Sequence, residues 1–260
     1  MNRTAAAIMV IALGAAATAE AQTRPVTRPA PRPQAAPAQR FFVGVDFGVQ
    51  MGTEDFNDLV PFTANAEPGN FATAYDVKPG PMLGISVSAR VWQRLAVGIA
   101  FTGFAADTDG ALTASVPHPF FFNQPRTLSG DVTGLTRSES GIHLQVRGLV
   151  PVSNRMQLTV FGGPSFFIVD QDIVNGLRYD DSYPYDVATF LAGDSQKFTT
   201  DAGVGFNVGA DVSYFFTRRI GVGGMAQYAT ATVEMPSGGT GTVDVKAGGF
   251  QVGGGLRLRF

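Results

Sequence analysis

Beyond Arg40 the chain repeats one pattern, an apolar side chain at every second position, in eight separate runs. Alternation with period two puts the two residue sets on opposite faces of a β-strand, and no stretch sustains the period of an amphipathic helix. In "FFVGVDFGVQM" one face carries Phe41, Val43, Val45, Phe47, Val49 and Met51; the other carries Phe42, Gly44, Asp46, Gly48 and Gln50. The next runs are "MLGISVSARVW", "LAVGIAFTGF", "ESGIHLQVRGLV" and "MQLTVFGGPSFFIV". They are followed by "KFTTDAGVGFNVGADVSYFF", a glycine-rich "IGVGGMAQYATATV", and a last run from about Asp244 to Phe260.

The connections alternate in length. "WQR" (92–94), "VSNR" (152–155) and "TRR" (217–219) are tight turns, whereas 52–80, 106–138 and 169–197 are long segments and 235–243 is a shorter Gly-rich link. An all-β, eight-stranded antiparallel up-and-down transmembrane β-barrel whose two rims face different compartments produces this rhythm. The long segments are then external loops, and both ends of the barrel domain lie on the short-turn side.

Alternation does not say which face is outside, because lipocalin-type barrels keep their apolar face within. Volume decides for the opposite arrangement. An eight-stranded interior is only just wide enough for its own side chains, and the polar faces are mostly Gly, Ser, Ala and Thr. Those faces also carry Asp46, Glu139, Asp201 and Asp211 against Arg90, Arg147, Arg257 and Arg259, a balanced set. Enclosed charges must be paired, so the expectation is a salt-bridged plug that includes His143. Aromatics gather at strand ends: Phe41, Trp92, Tyr214, Phe216 and Phe260 at the short-turn rim, and Phe101, Phe104, Phe166, Phe167 and Phe198 at the other. Two such belts are expected at the two membrane interfaces.

On these features residues 41–260 resemble the small eight-stranded outer-membrane barrels, the OmpA N-terminal and OmpX-like group. The resemblance implies that Phe250, Leu256, Leu258 and Phe260, in a strand ending on Phe, form an assembly signal read by the outer-membrane insertion machinery. It also implies contact with outer-membrane lipids and lipopolysaccharide. A peptidoglycan-binding domain of the kind that anchors OmpA to the cell wall is not expected.

The first residues, "MNRTAAAIMVIALGAAATAEAQ", join a basic Arg3 to an apolar run and a small-x-small site, which is a signal peptide cleaved after Ala21. Residues 22–40, rich in Pro, Ala and Arg, form an extended linker that cannot build a core. A formal net charge of −2 leaves no basic footprint for nucleic acid. The absence of cysteine removes disulfides, thiolate metal sites and Cys nucleophiles.

Chemistry is sparse. His143 has no serine at suitable spacing on its own strand face, and His118, in "PHPFFFNQP", has no second histidine to make a metal pair. The acidic residues Asp170, Asp172, Asp180, Asp181 and Asp186 match no calcium loop. No cofactor and no catalysis are therefore expected. The first expectation is a monomeric barrel with a plugged lumen, acting structurally or through surface contacts of its external loops. A narrow conduit, porin-like or of the OmpW type, is the second, and a lipid-modifying outer-membrane enzyme the third.

Overall fold

Seven of the eight runs each become one strand, and the sixth divides between two. A computed structural model describes residues 39–51 and 54–260; the signal peptide and, save Gln39 and Arg40, the linker lie outside the described residues. In chain order the elements are β1 (Phe41–Gln50), β2 (Phe56–Ala64), β3 (Glu67–Val77), β4 (Gly80–Arg90), β5 (Leu95–Val116) and β6 (Arg126–Pro151). There follow β7 (Met156–Asp181), β8 (Ala188–Thr199), β9 (Gly203–Phe215), β10 (Ile220–Pro236) and β11 (Thr242–Arg259).

Eight of these close into an antiparallel ring in chain order, β1–β4–β5–β6–β7–β9–β10–β11 and back to β1. At the seam Phe42 faces Arg259 and Gln50 faces Gln251. The last residue is part of the closure, since the Phe260 N–H donates to the Phe41 carbonyl at 2.9 Å and its own carbonyl accepts from Arg40 at 2.6 Å. A ring leaves no unpaired edge.

The long segments are not loops. β2 and β3 form a hairpin added to the upper half of β5, β8 pairs with the upper half of β7, and β5, β6, β10 and β11 run on well past the ring. The sequence pattern hid this because the polarity of the wall inverts along single strands. On β6 the outward residues below are Val150, Val146, Leu144 and Ile142; above they are Ser140, Ser138, Thr136, Asp131, Ser129 and Thr127. The inward residues change in the opposite sense, from Arg147, Gln145, His143 and Glu139 to Leu135, Val132 and Leu128. On β7, outward Phe166 and Ile168 give way to Asp170 and Asp172, while inward Ser165 gives way to Phe167 and Val169.

The upper part is a cap with an apolar core of its own, including Phe71, Tyr75, Leu112, Leu135, Ile173 and Met235. Phe190 of β8 occupies the space where a side chain on Gly130 would stand, which packs the β7–β8 hairpin onto β6. Tyr75 closes a gap in the ladder: its buried hydroxyl accepts the Val174 N–H at 2.8 Å where β7 bulges. Asp58 secures the β10–β11 turn, accepting from the Ser237 hydroxyl at 2.6 Å and the Gly238 N–H at 2.8 Å.

Inversion also corrects the upper aromatic belt. Phe101 and Phe166 point outward as expected, but Phe104 and Phe167 are buried in the cap core and Phe198 packs against it. The run from Lys197 to Phe216 breaks at 200–202, where the Thr200 hydroxyl accepts the Val169 N–H at 3.0 Å. Asp201, expected within the lumen, is therefore exposed in the link between β8 and β9.

Candidate functional site

The ring encloses three layers of polar side chains, and each exists because alternation delivers one inward residue from every neighbouring strand. In the lowest, three phenylalanines each meet an arginine: Phe42 with Arg90, Phe161 with Arg147, and Phe215 with Arg259, with guanidinium-to-ring distances of 5.3, 5.1 and 3.7 Å. Such stacking sets each guanidinium on the face of an apolar ring. Arg90 and Arg259 are thus rim groups and make no ion pair with the carboxylates they were expected to join.

Above them Arg257 holds two acids. Its Nη2 meets the Asp46 carboxylate at 2.6 Å, and its Nε donates to Asp211 at 2.9 Å. Ser213 also donates to Asp211, at 2.5 Å. The bulk of the guanidinium is accommodated by glycine, since a Cβ on Gly223 would lie 2.9 Å from the Arg257 Nε. Val204 and Leu256 are 66% and 56% exposed and Asp211 only 7%, so the small and charged face is the enclosed one.

The third layer is a relay of amides that sequence reading did not single out. Arg147 donates to Gln145 (3.1 Å), Gln145 to Gln227 (3.5 Å), Gln227 to Gln251 (3.2 Å), Gln251 to Gln50 (2.7 Å), and Gln50 to Glu139 (3.1 Å). Every donor points the same way, from a cation to an anion, an alignment in which successive bonds polarise one another. Glu139 ends the relay with further bonds from the Arg137 Nε (2.8 Å) and the Gly248 N–H (2.7 Å). Gly248, at φ +91°, turns its backbone into the lumen, and its carbonyl also accepts from Gln50 at 2.9 Å. Arg137 was hidden because its segment read as a loop. Gln50, Gln145 and Gln251 fall on the polar faces of their runs, whereas Gln227 sits in the glycine-rich seventh run whose alternation is too weak to assign it a face, and only the closed ring brings the four into line.

His143 is wholly buried between Thr102 (2.9 Å) and Ser165 (2.8 Å), with Phe167 edge-on at 5.4 Å. The serine missing from its own strand is supplied by β7. Asn207 also donates to that serine at 2.9 Å, so the hydroxyl is part of a satisfied buried network. A small cavity of about 50 Å³ remains between the lower layers, lined by Asp46, Ser88, Arg147, Thr159, Asp211 and Arg257. That is room for water-sized molecules. Among the described residues, no three His, Asp or Glu side chains gather as metal ligands.

At the far end of the cap, Phe120, Phe121 and Phe122 stand exposed, and the Phe120 ring packs against Tyr185 at 5.1 Å. Their loop is braced: the buried His118 Nδ1 accepts the N–H groups of Phe120 and Phe121 at 3.1 Å each, and Glu67 accepts that of Asn123 at 2.7 Å. Arg126 joins this loop to the β7–β8 hairpin through Asp181 and the carbonyls of Tyr185 and Pro117.

No protein-family model matches the chain, and no curated protein matches it. Solved structures are similar in fold. The outer membrane protein OprG from Pseudomonas aeruginosa is 11% identical, with 86% of this chain and 96% of that one covered and a TM-score of 0.46. Neisserial surface protein A is 12% identical over 85% and 97%, with a TM-score of 0.44. The outer membrane protease OmpT from Escherichia coli is 9% identical over 85% and 97%, with a TM-score of 0.49. At such distances the likeness bears on neither chemistry nor partner.

Proposed function

We propose that the chain is an integral barrel of the bacterial outer membrane, closed to solutes, that acts through the surface its cap presents and not by turnover. One observation carries this reading: the wall inverts its polarity part-way up. A belt of about nine to eleven residues per strand, at about 3.3 Å per residue and a tilt near 40°, covers about 25 Å, the height of the hydrocarbon band on such barrels. Above the belt the wall has an apolar inside and a hydroxyl-rich outside, the arrangement water requires. The cap then stands outside the cell and the short turns face the periplasm.

Closure is supported twice over, by the amide relay across the lumen and by the apolar core above it. A role in surface recognition is supported by the braced aromatic apex, since exposed aromatics on a preorganised loop bind with little ordering cost. Single-channel recording of the purified protein in planar bilayers tests the reading, with no unitary steps expected. Steps that change on Arg147→Ala or Asp211→Asn would replace it with a conduit. Absence of catalysis belongs to the same proposal, because His143 and Ser165 lie where no lipid reaches them. His143→Ala should leave lipid A acylation unchanged. Phe260→Ala should lower the inserted fraction if the insertion machinery reads the last strand.

A further inference from the structure

At the level of the inversion, the outer surface of the β10–β11 hairpin carries a groove of about 510 Å³. Below it lie Tyr228, Phe250 and Met51, all exposed and continuous with the hydrocarbon belt. Above it lie Thr230, Lys246 and Glu54. The groove exists because Gly248 and Gly249, at φ +91° and +138°, turn backbone inward to Glu139 and leave no side chain outside. The Lys246 ammonium is held in place from across the ladder, donating to the Thr232 hydroxyl at 3.0 Å, and its carbonyl is fixed by Arg137 at 2.5 Å. Among the described residues neither Lys246 nor Glu54 is in an ion pair, so the ammonium keeps donors for a ligand.

We propose that this groove is a binding site for one phosphate-bearing lipid, its phosphate on Lys246 and its acyl chains along Phe250 and Tyr228. The site rests on the membrane reading above, since only a bilayer brings a head group to this height. Position and chemistry select the occupant: an apolar floor merging with the belt, at the rim an ammonium with donors to spare beside the Glu54 carboxylate, and a gap the size of a head group between floor and rim. A lysine facing an anionic head group at a membrane surface gives about fivefold in affinity.

Native mass spectrometry of the delipidated full-length protein in non-ionic detergent, titrated with phosphatidylglycerol, reads the site directly. One lipid adduct beyond the statistical distribution is expected, about fivefold weaker for Lys246→Glu. Lys197→Glu, an exposed lysine on β8, should leave it unchanged, and diacylglycerol of the same chain length should not form it. Equal loss in both lysine variants, or equal binding of diacylglycerol, overturns the proposal. Partition of both variants into vesicles is measured alongside. Failure of the unmodified protein to insert would refute the membrane reading, whereas insertion without the adduct would refute the site alone.

Discussion

Below Ile142 and above it, β6 is one ribbon with its chemistry turned inside out. The lower barrel hides arginines, acids and amides and shows hydrocarbon; the cap hides phenylalanine and leucine and shows threonine and aspartate. Both halves obey one rule, that each face must suit the medium it meets, and the difference shows that the medium changes along the strand. The lower interior is held together by directional bonds, each worth about 0.5–1.5 kcal/mol net but costly when one partner is left alone. The cap interior relies on area removed from water, about 25 cal/mol per Å².

That contrast can be broken most severely by exchanging the interiors. Arg257→Ala strands the Asp46 and Asp211 carboxylates together and should cost about 3–5 kcal/mol, read as a fall in urea midpoint in detergent or vesicles. Leu135→Gln, on the cap side, buries an amide among hydrocarbon and should lower stability comparably, whereas Gln145→Leu should cost less than either. Exchanging the exteriors is gentler. Leu144→Lys should disfavour insertion by about 2–4 kcal/mol, while Ser129→Lys, on the same face of the same strand but in the cap, should stay within about 0.5 kcal/mol. Equal effects would remove the boundary between the two media.

Tyr75→Phe sharpens the comparison within the cap. It keeps the packing but orphans the Val174 N–H, for about 1–3 kcal/mol, detectable as faster amide exchange in β7 and β8. Burial raises the Tyr75 phenol above its usual value of 10.0. Neutral tyrosine is therefore favoured in the folded cap, and its contribution is intact below pH 10.0 and lost as the pH climbs beyond it. Near-ultraviolet circular dichroism should show the cap loosening there, and Tyr75→Phe should not share that step. Smallest of all, Lys78→Ala removes an exposed pair with Asp109 that raises the lysine's affinity for its proton. No change in melting is expected, because water and salt screen such pairs.

The eight strands of the ring, its closure and the inward set Asp46, Glu139, His143, Arg147, Asp211 and Arg257 were legible in the sequence, because alternation in phase with the pleat fixes each of them. The cap was not. Its strands alternate in the same phase with the polar and apolar roles exchanged, and glycines such as Gly110 and Gly130 interrupt the pattern. One trace of it was present: "FFIV", Phe166 to Val169, is apolar on both faces, as a strand must be where the two regimes meet. Asp201 misled because parity continues through an interruption between two strands that only the partner strand reveals. The alignment of Gln50, Gln145, Gln227 and Gln251 depends on register around the whole ring, which no single strand encodes.

The inversion also acts as a ruler. A plain period-two ribbon looks identical after sliding by two residues, so alternation alone forbids only odd slips between neighbours. A fixed boundary between Ser140 and Ile142 on β6, and between Ile168 and Asp170 on β7, removes that degeneracy. An even slip would drag a carboxylate into hydrocarbon or a bare isoleucine into water. Each long strand therefore carries its own depth gauge, and the axial alignment of the ring is specified before any hairpin turn has to enforce it.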